Sequence, residues 1–480
     1  MEINEIIQLR QAKLTALKEK GEAYPCPGPG RADIGRILED FQEGRRVLLA
    51  GRMIAKRSHG KAAFVDLKDS TGKIQLYLKE DIIGEENFRA FSELDIADII
   101  QAKGELFKTH TGEPTLKVEE FALLAKALRP LPEKWHGLKD VELRYRQRYL
   151  DLIANEEVKK VFLARSRIIR AMRAFLDEKG FLEVETPMMH PLFGGAAGRP
   201  FGTHHNEYDL DLFLRIAPEL YLKRLLVGGL DRVYEINRSF RNEGVSTRHN
   251  PEFTMLEAYQ AFGNYETMMQ LAEDLIVAAA DTVLGKREFT YQGKTISLDP
   301  PWQRRSFAGM VKEKFGIEPG DEVSLVLKKL QAKGFARDKA KLTRSQVNKI
   351  IEEILEQDMS LNPTFVTDYF TSLCPLAKAK KDNPLVSERF ELYIAGMEIA
   401  NAYSELNDPL EQRKRFEEEI RDLDPAEKKS VDEEYVLALE HGMPPAGGLG
   451  IGIDRLVMLL TGQPSIRDVI LFPLLRPEKI

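Results

Sequence analysis

Residues 240–260 read FRNEGVSTRHNPEFTMLEAYQ, and there two arginines (Arg241, Arg248), a histidine (His249), two acids (Glu243, Glu252) and Phe253 crowd a glycine-containing stretch between two apolar runs. A strand-anchored Arg241 offers a rigid, permanently charged fork suited to a carboxylate or a phosphate. Phe253 can stack on a flat base, and Glu243 can accept a hydrogen bond from an exocyclic amine. For an arbitrary charged loop, a solvated, salt-bridged hairpin is the better explanation. A second cluster lies in residues 388–408 (ERFELYIAGMEIANAYSELND), where an apolar hairpin turning near Gly396 carries Glu391, Glu398 and Glu405 with Asn401. Carboxylates in an apolar sheet are costly unless they meet cations, and the available ones are magnesium and a substrate ammonium. Strict alternation places Asn401, Tyr403 and Glu405 on one face and Glu398 on the other, so Glu398 requires a bulge or a different role. The third stretch, residues 447–460 (GGLGIGIDRLVMLL), is a glycine-rich strand running into a helix with Arg455 in its first turn. A cation there opposes the helix dipole unless it faces a polyphosphate. A dinucleotide-binding reading of the glycines fails, because no strand–helix–strand unit surrounds them.

The elements that must hold these residues are legible in outline. Residues 232–240 and 253–259 read as strands, with Gly244 and Asn250-Pro251 marking a long hairpin loop between them. A helix over residues 158–179 stops at Gly180, and a strand is expected over 181–187 (FLEVETP). Residues 215–230 read as strand then helix, with Pro218 placed for the helix start and Glu219 in its first turn, where acids are also structurally favoured. Residues 286–381 carry helical patterns and look like an inserted helical subdomain. Towards the amino terminus, a helix over residues 6–20 ends at Gly21, and a Pro/Gly-rich linker follows. From residue 45 to 129, short strands alternate with turns, which suggests a small antiparallel barrel. Phe64 shares an outer face with Asp66, and Gln75 shares one with Tyr77. An exposed aromatic beside an amide on a basic barrel is how single-stranded bases are stacked and read.

A chain of 480 residues exceeds the ~250–300 residues at which single cores stop growing, so two or three domains are expected. The apolar fraction of 43 % and charged fraction of 30 % are those of an ordinary globular protein. No apolar run approaches a membrane span, the amino terminus lacks a signal peptide's apolar region, and Cys26 and Cys374 form no ligand cluster. These features point to the cytoplasm. The net charge of −6 argues against a dedicated nucleic-acid binder, yet residues 45–79 hold nine Lys or Arg against Asp66 and Asp69.

Residues 240–260 resemble the second signature motif of class II aminoacyl-tRNA synthetases, and nearly the whole chain is similar to the lysine-specific members. Residues 158–187 resemble the first motif, which in the family builds a dimer interface, and residues 447–460 resemble the third. The resemblance implies an α+β, multidomain protein: an amino-terminal helix and linker (1–44), an OB-fold anticodon-binding barrel (45–129), a hinge (130–150), and a catalytic domain (151–480) on a mixed, mainly antiparallel sheet flanked by helices, with a helical insertion at about 286–381. It implies a lysine–tRNA ligase that activates lysine with ATP and magnesium and passes it to tRNA(Lys). Arg241 would bridge the lysine carboxylate and the α-phosphate, and Arg455 with His249 would hold the outer phosphates. Glu243 and Phe253 would hold adenine, and Glu391 and Glu398 would bind magnesium. Gly195, Glu219 and Glu257 would meet the α-ammonium, Glu405 with Tyr259 the ε-ammonium, and Asn401 would orient the carboxylate. In the barrel, Arg57, Phe64, Gln75 and Glu113 would contact the anticodon. Asp368-Tyr369-Phe370 and Cys374-Pro375 depart from the family's Asp-Tyr-Pro and Ser-Pro. The rivals are an aspartyl or asparaginyl enzyme, disfavoured because its pocket would need basic residues; a non-catalytic tRNA-binding paralogue, which should have lost the arginines or the magnesium acids; and a ligase acting on a protein, which has no anticodon to read.

Overall fold

The structure is a computed structural model, and it describes residues 3–21, 24–26, 30–132, 138–196, 198–335, 344–356, 358–422 and 430–477. The chain divides into two compact units, Met1–Lys139 and Asp140–Ile480. The segment expected as a hinge therefore splits: residues 133–137 lie outside the described residues, and the helices Val141–Arg146 and Arg148–Ala154 belong to the second unit. They are tied there because Arg148, fully buried, pairs with Asp151 at 2.6 Å and donates to the Leu471 and Arg467 carbonyls.

The first unit is a closed barrel of β1 (Arg46–His59), β2 (Ala62–Lys68), β3 (Lys73–Lys79), β4 (Ile99–Lys108) and β5 (Pro114–Ala125), in the order β1-β2-β3-β5-β4. The alternation Ala63, Val65, Leu67 and Ile74, Leu76, Leu78 fills its interior and leaves Phe64, Asp66, Gln75 and Tyr77 outside. The first helix, Ile3–Glu19, is pinned to this unit through Arg10, which donates to the Ala127 carbonyl at 3.0 Å. Nearby, the buried Lys126 ammonium meets Asp98 at 2.8 Å and Asp95 at 2.5 Å.

The second unit is built on one eight-stranded sheet. In chain order its elements are β6 (Leu182–Glu183); a small separate sheet of β7 (Met189–His190), β8 (Phe201–His205) and β9 (Leu210–Leu214); β10 (Arg232–Phe240) and β11 (Glu252–Ala261); the hairpin β12 (Glu288–Tyr291) and β13 (Lys294–Ser297); then β14 (Gln303–Ser306), β15 (Thr364–Thr367), β16 (Arg389–Ile394), β17 (Met397–Ser404) and β18 (Ala446–Gly452). The large sheet runs β14-β15-β16-β17-β18-β11-β10-β6. Only the outermost pairs, β6 with β10 and β14 with β15, are parallel. One face packs Leu256, Ala258, Ala400, Ala402, Leu449 and Ile451 against the helices Glu156–Glu178, Tyr265–Leu284 and Ile453–Thr461.

Two expectations change in detail. The strand expected over 181–187 pairs only at Leu182–Glu183, although the Val184 amide still donates to the Tyr234 carbonyl at 2.9 Å. The segment 286–381 is not helical throughout, since it supplies the hairpin β12–β13 and the sheet strands β14 and β15. A parallel pair needs a crossover connection, and the helices Phe307–Phe315, Val323–Ala332 and Arg344–Glu356 provide it.

Candidate functional site

The open face of the sheet lines a cleft that offers about 1130 Å³ to water-sized molecules. Its floor is backbone. The cleft-facing residues of β18 are Gly448, Gly450 and Gly452; Gly448 lies between Tyr259 and Tyr403, Gly450 between Glu257 and Asn401, and Gly452 beside Met255. Gly448 has no room for a side chain, because a Cβ there would lie 1.9 Å from Glu405 Oε1 and 2.5 Å from the Tyr259 ring. The functional side chains stand on the walls, β11 on one side and β17 with β16 on the other.

One end of the cleft is acidic and dry. Glu219, Glu257 and Glu405 are 4 %, 6 % and 1 % exposed, and Lys223, one helical turn after Glu219, is completely buried among them. The Lys223 ammonium donates to Glu219 Oε1 at 2.6 Å and forms an ion pair with Glu405 Oε2. The Tyr403 hydroxyl donates to Glu219 Oε2 at 2.7 Å, and the Tyr259 hydroxyl to Glu257 Oε2 at 3.0 Å. Glu405 Oε1 has no donor among the described residues. Burial, reinforced by Glu219, pushes the Glu257 carboxyl up to about 8, against the pull of Tyr259 and Arg215. Burial and Glu219 also push Glu405 up while Lys223 opposes them. The direct contact between Oε2 and the ammonium makes this pair ionic, and both acids hold the Lys223 proton on more tightly than usual. Gly195 adjoins this end, its backbone against the Glu219 side chain.

The other end is cationic. Arg241 continues β10, its amide donating to the Pro251 carbonyl at 2.8 Å, and its guanidinium lies 5.1 Å from the centre of the Phe253 ring. Arg241 Nε is buried without a partner among the described residues. Arg455, in the first turn of the helix Ile453–Thr461, donates to Glu398 Oε2 at 3.1 Å and to His249 Nε2 at 3.2 Å. An arginine can only donate, so His249 Nε2 is the acceptor, and the proton sits on Nδ1, which donates to Ser246 Oγ at 2.9 Å. Burial and then Arg455 lower the His249 pKa, in agreement with a neutral ring. Glu243 also lines the cleft beside Arg241.

Between the two ends stand Glu391 and Glu398, and a bulge brings them to one face. Across β16 and β17, Leu392 pairs with Ala400 but Tyr393 pairs with Glu398, so Ile399 is the extra residue and Glu398 joins Asn401, whose amide donates to it at 3.3 Å. Glu391 accepts from the Tyr369 hydroxyl at 2.7 Å, the Tyr393 hydroxyl at 2.6 Å and Arg389 at 2.5 Å. Burial pushes Glu398 up, but Arg455, Asn401 and further arginines outweigh it and hold it below the usual carboxylate value. Among the described residues there is no cluster of three or more His, Cys, Asp or Glu able to hold a metal. Two cleft-lining carboxylates nevertheless suit magnesium, which binds through one or two carboxylates with the remaining positions left to phosphates and water.

Sequence reasoning missed Lys223, Arg389, Tyr369 and Glu352. Glu352 reaches the cleft from the crossover helix Arg344–Glu356, where burial and then Glu391 push its carboxyl up to about 8. In the barrel, Arg57 pairs in register with Phe64, and Phe64 with Tyr77, their ring centres 5.0 Å apart. Phe107 extends the aromatic strip, 6.1 Å from Tyr77. Gln75 accepts from the Thr115 hydroxyl at 3.2 Å, Arg57 is held by Asp66 at 3.0 Å, and Glu113 lies in the β4–β5 turn.

Residues 140–476 match the family model of the class II tRNA synthetases (D, K and N), and residues 47–124 match that of the OB-fold nucleic acid binding domain. The chain belongs to the class II tRNA synthetases. Within that class its full-length relatives are lysine–tRNA ligases. Those of Carboxydothermus hydrogenoformans and Moorella thermoacetica are 53 % and 52 % identical to it, with 99 % of both chains covered in each comparison. That of Clostridium perfringens is 47 % identical, with 100 % of this chain and 97 % of the relative covered.

Proposed function

We propose that this chain joins lysine to tRNA(Lys) in two ATP-dependent steps. The observation that carries the proposal is the cleft's charge order: buried acids at one end, Arg241 and Arg455 at the other, over a glycine floor. A substrate with an ammonium at both ends and one carboxylate matches that order, whereas aspartate or asparagine would leave buried acids unmatched. In the first step a lysine carboxylate oxygen bonds to the α-phosphorus of ATP, the bond to the β-phosphate bridging oxygen breaks, and pyrophosphate leaves. In the second, a hydroxyl of the tRNA's terminal ribose attacks the acyl carbon and AMP leaves. No protein nucleophile is needed, so catalysis is positioning and charge stabilisation.

Arg241 bridges the substrate carboxylate and the α-phosphate, while Arg455 and the neutral His249 hold the outer phosphates. Phe253 and Glu243 hold adenine. Glu219 and Glu257, with the Gly195 backbone, take the α-ammonium; Glu405 and Tyr259 take the ε-ammonium; Asn401 orients the carboxylate. Glu391 and Glu398 would hold magnesium, which when bound supplies positive charge to the phosphates. In the barrel, Arg57, Phe64, Gln75 and Glu113 read the anticodon, an assignment supported by the aromatic strip on its outer face. A cytoplasmic homodimer completes the proposal: no helix among the described residues is long and apolar enough to cross a membrane, and the edge strand β6 and the helix Glu156–Glu178 expose Leu182 and Leu163. Sedimentation showing a stable monomer at micromolar concentration would refute the dimer. The test of function is amino-acid-dependent ATP–pyrophosphate exchange across the standard amino acids: exchange with lysine alone is expected, and exchange with aspartate or asparagine instead would overturn the specificity.

A further inference from the structure

Lys223 stands out because nothing in the two-step chemistry uses it. It is completely buried, belongs to neither the phosphate end nor the anticodon face, and its ammonium touches two of the three acids at the cleft's dry end, Glu219 on the cleft lining and Glu405 packed against Gly448 of its floor. A helix-borne Glu–Lys pair one turn apart is ordinarily a solvated surface pair of small value. Here the same spacing is turned inward. The groups facing Lys223 are Glu219 on its own helix, Tyr403 and Glu405 from β17 and its end, and Tyr435 from the helix Glu433–Glu440; Tyr259 and Glu257 face the acids from β11. No second cation contacts Glu219 or Glu405 among the described residues.

We propose that Lys223 is a positioning residue for amino-acid recognition, a resident ammonium that holds the Glu219 and Glu405 carboxylates in place and cancels one of the three negative charges the pocket carries once bound lysine has ionised Glu257. Three acids less one lysine leave two negative charges, the number that a substrate with two ammonium groups neutralises. Lys223 thereby sets which amino acid the pocket accepts without touching the reacting atoms. The inference rests on the lysine-activating reading given above.

The test compares wild type with Lys223→Met and Lys223→Arg in lysine-dependent ATP–pyrophosphate exchange from pH 6 to 9. For Lys223→Met, the lysine KM at pH 7 should rise on the order of 100-fold, as expected when one partner of a buried ion pair is removed. The pH midpoint of kcat/KM for lysine should move alkaline by a unit or more, and the ATP KM should stay within about twofold. Lys223→Arg keeps the charge and should keep the wild-type midpoint even if its KM rises. An unshifted midpoint in Lys223→Met, or a parallel rise in both KM values, would overturn the proposal. Wild type provides a measurement independent of the variants' folding: calorimetric titration with lysine at pH 7 in phosphate and in Tris should show release of about one proton, from Glu257. Release of two or more would mean that Lys223 does not keep Glu405 ionised, and would overturn it. A wild type without lysine-dependent exchange would instead bring down the functional reading itself.

Discussion

Lysine affinity should collapse as pH falls, and by a calculable amount. In the substrate-free pocket the Glu257 carboxyl sits at about 8, raised first by burial and then by Glu219. A bound ammonium favours the carboxylate, so the group's pKa is high without lysine and low with it. Binding therefore expels a proton, and affinity is full above the substrate-free value and is lost as pH falls through it. With a tenfold change per unit, the ionised fraction of Glu257 is roughly one half at pH 8, one in eleven at pH 7 and one in a hundred at pH 6. The lysine KM should accordingly rise about fiftyfold from pH 8 to pH 6. The assay is pyrophosphate exchange at saturating ATP with lysine varied, and the ATP KM as the control, since Glu257 is hydrogen-bonded to Tyr259 and belongs to the ammonium site rather than to the phosphate-holding groups. Glu257→Gln should flatten the profile and leave KM high at every pH. A lysine KM that is equal at pH 6.5 and pH 8 would refute the reasoning.

Gly448→Ala should raise the lysine KM by a factor equivalent to ~1–3 kcal/mol of overpacking and leave the ATP KM near wild type, because the new methyl would occupy the space of Glu405 and the Tyr259 ring; equal effects on both substrates would count against a lysine-end location. Phe64→Ala should leave pyrophosphate exchange untouched while weakening tRNA aminoacylation through the tRNA KM, since a stacked base contributes ~1–3 kcal/mol; an unchanged tRNA KM would remove Phe64 from the anticodon face. Lys126→Met strands the buried Asp98 and its neighbour Asp95, which costs about 3–5 kcal/mol. Calorimetry of the full chain should show the barrel's transition moving down with exchange activity retained at 25 °C, and an unmoved transition would mean that the network contributes little.

What was legible in the sequence was chemistry packed densely along the chain. Arg241, Glu243, His249 and Phe253 sit within one loop and its flanking strands, so residue type and spacing point to them together. The demand that Glu398 share a face with Asn401 pointed to a bulge, and the register of β16 on β17 contains one. The barrel's alternation likewise separated Phe64 and Gln75 from the core. Lys223 was invisible for a physical reason: Glu–x–x–x–Lys on a helix reads as an ordinary surface pairing, and only the strands and the helix Glu433–Glu440 that close over it bury it. The strand β14 reads Gln-Arg-Arg-Ser, with no apolar alternation to announce it, and owes its place to the parallel pairing with β15. Phe107 and Glu352 reach their neighbours across distances in sequence that no local pattern encodes.

The extra residue at Ile399 means that part of this site is written in residue number rather than residue type. Met397 and Ile399 both face the core while Glu398 between them faces the cleft; both Ile399 and Ala400 then face the core before Asn401 returns to the cleft. No single replacement in the hairpin moves Glu398 to the other side of the sheet, so a scan of substitutions would pass over the bulge. Removing one residue between Glu398 and Asn401 would leave them two positions apart, and strict alternation would then keep Glu398 on the cleft face with no bulge at all. Spacing and bulge are thus a single constraint: at the present length only the extra residue at Ile399 keeps Glu398 in the cleft, and flattening that bulge without shortening the strand would turn the acid into the core and take from Arg455 its partner.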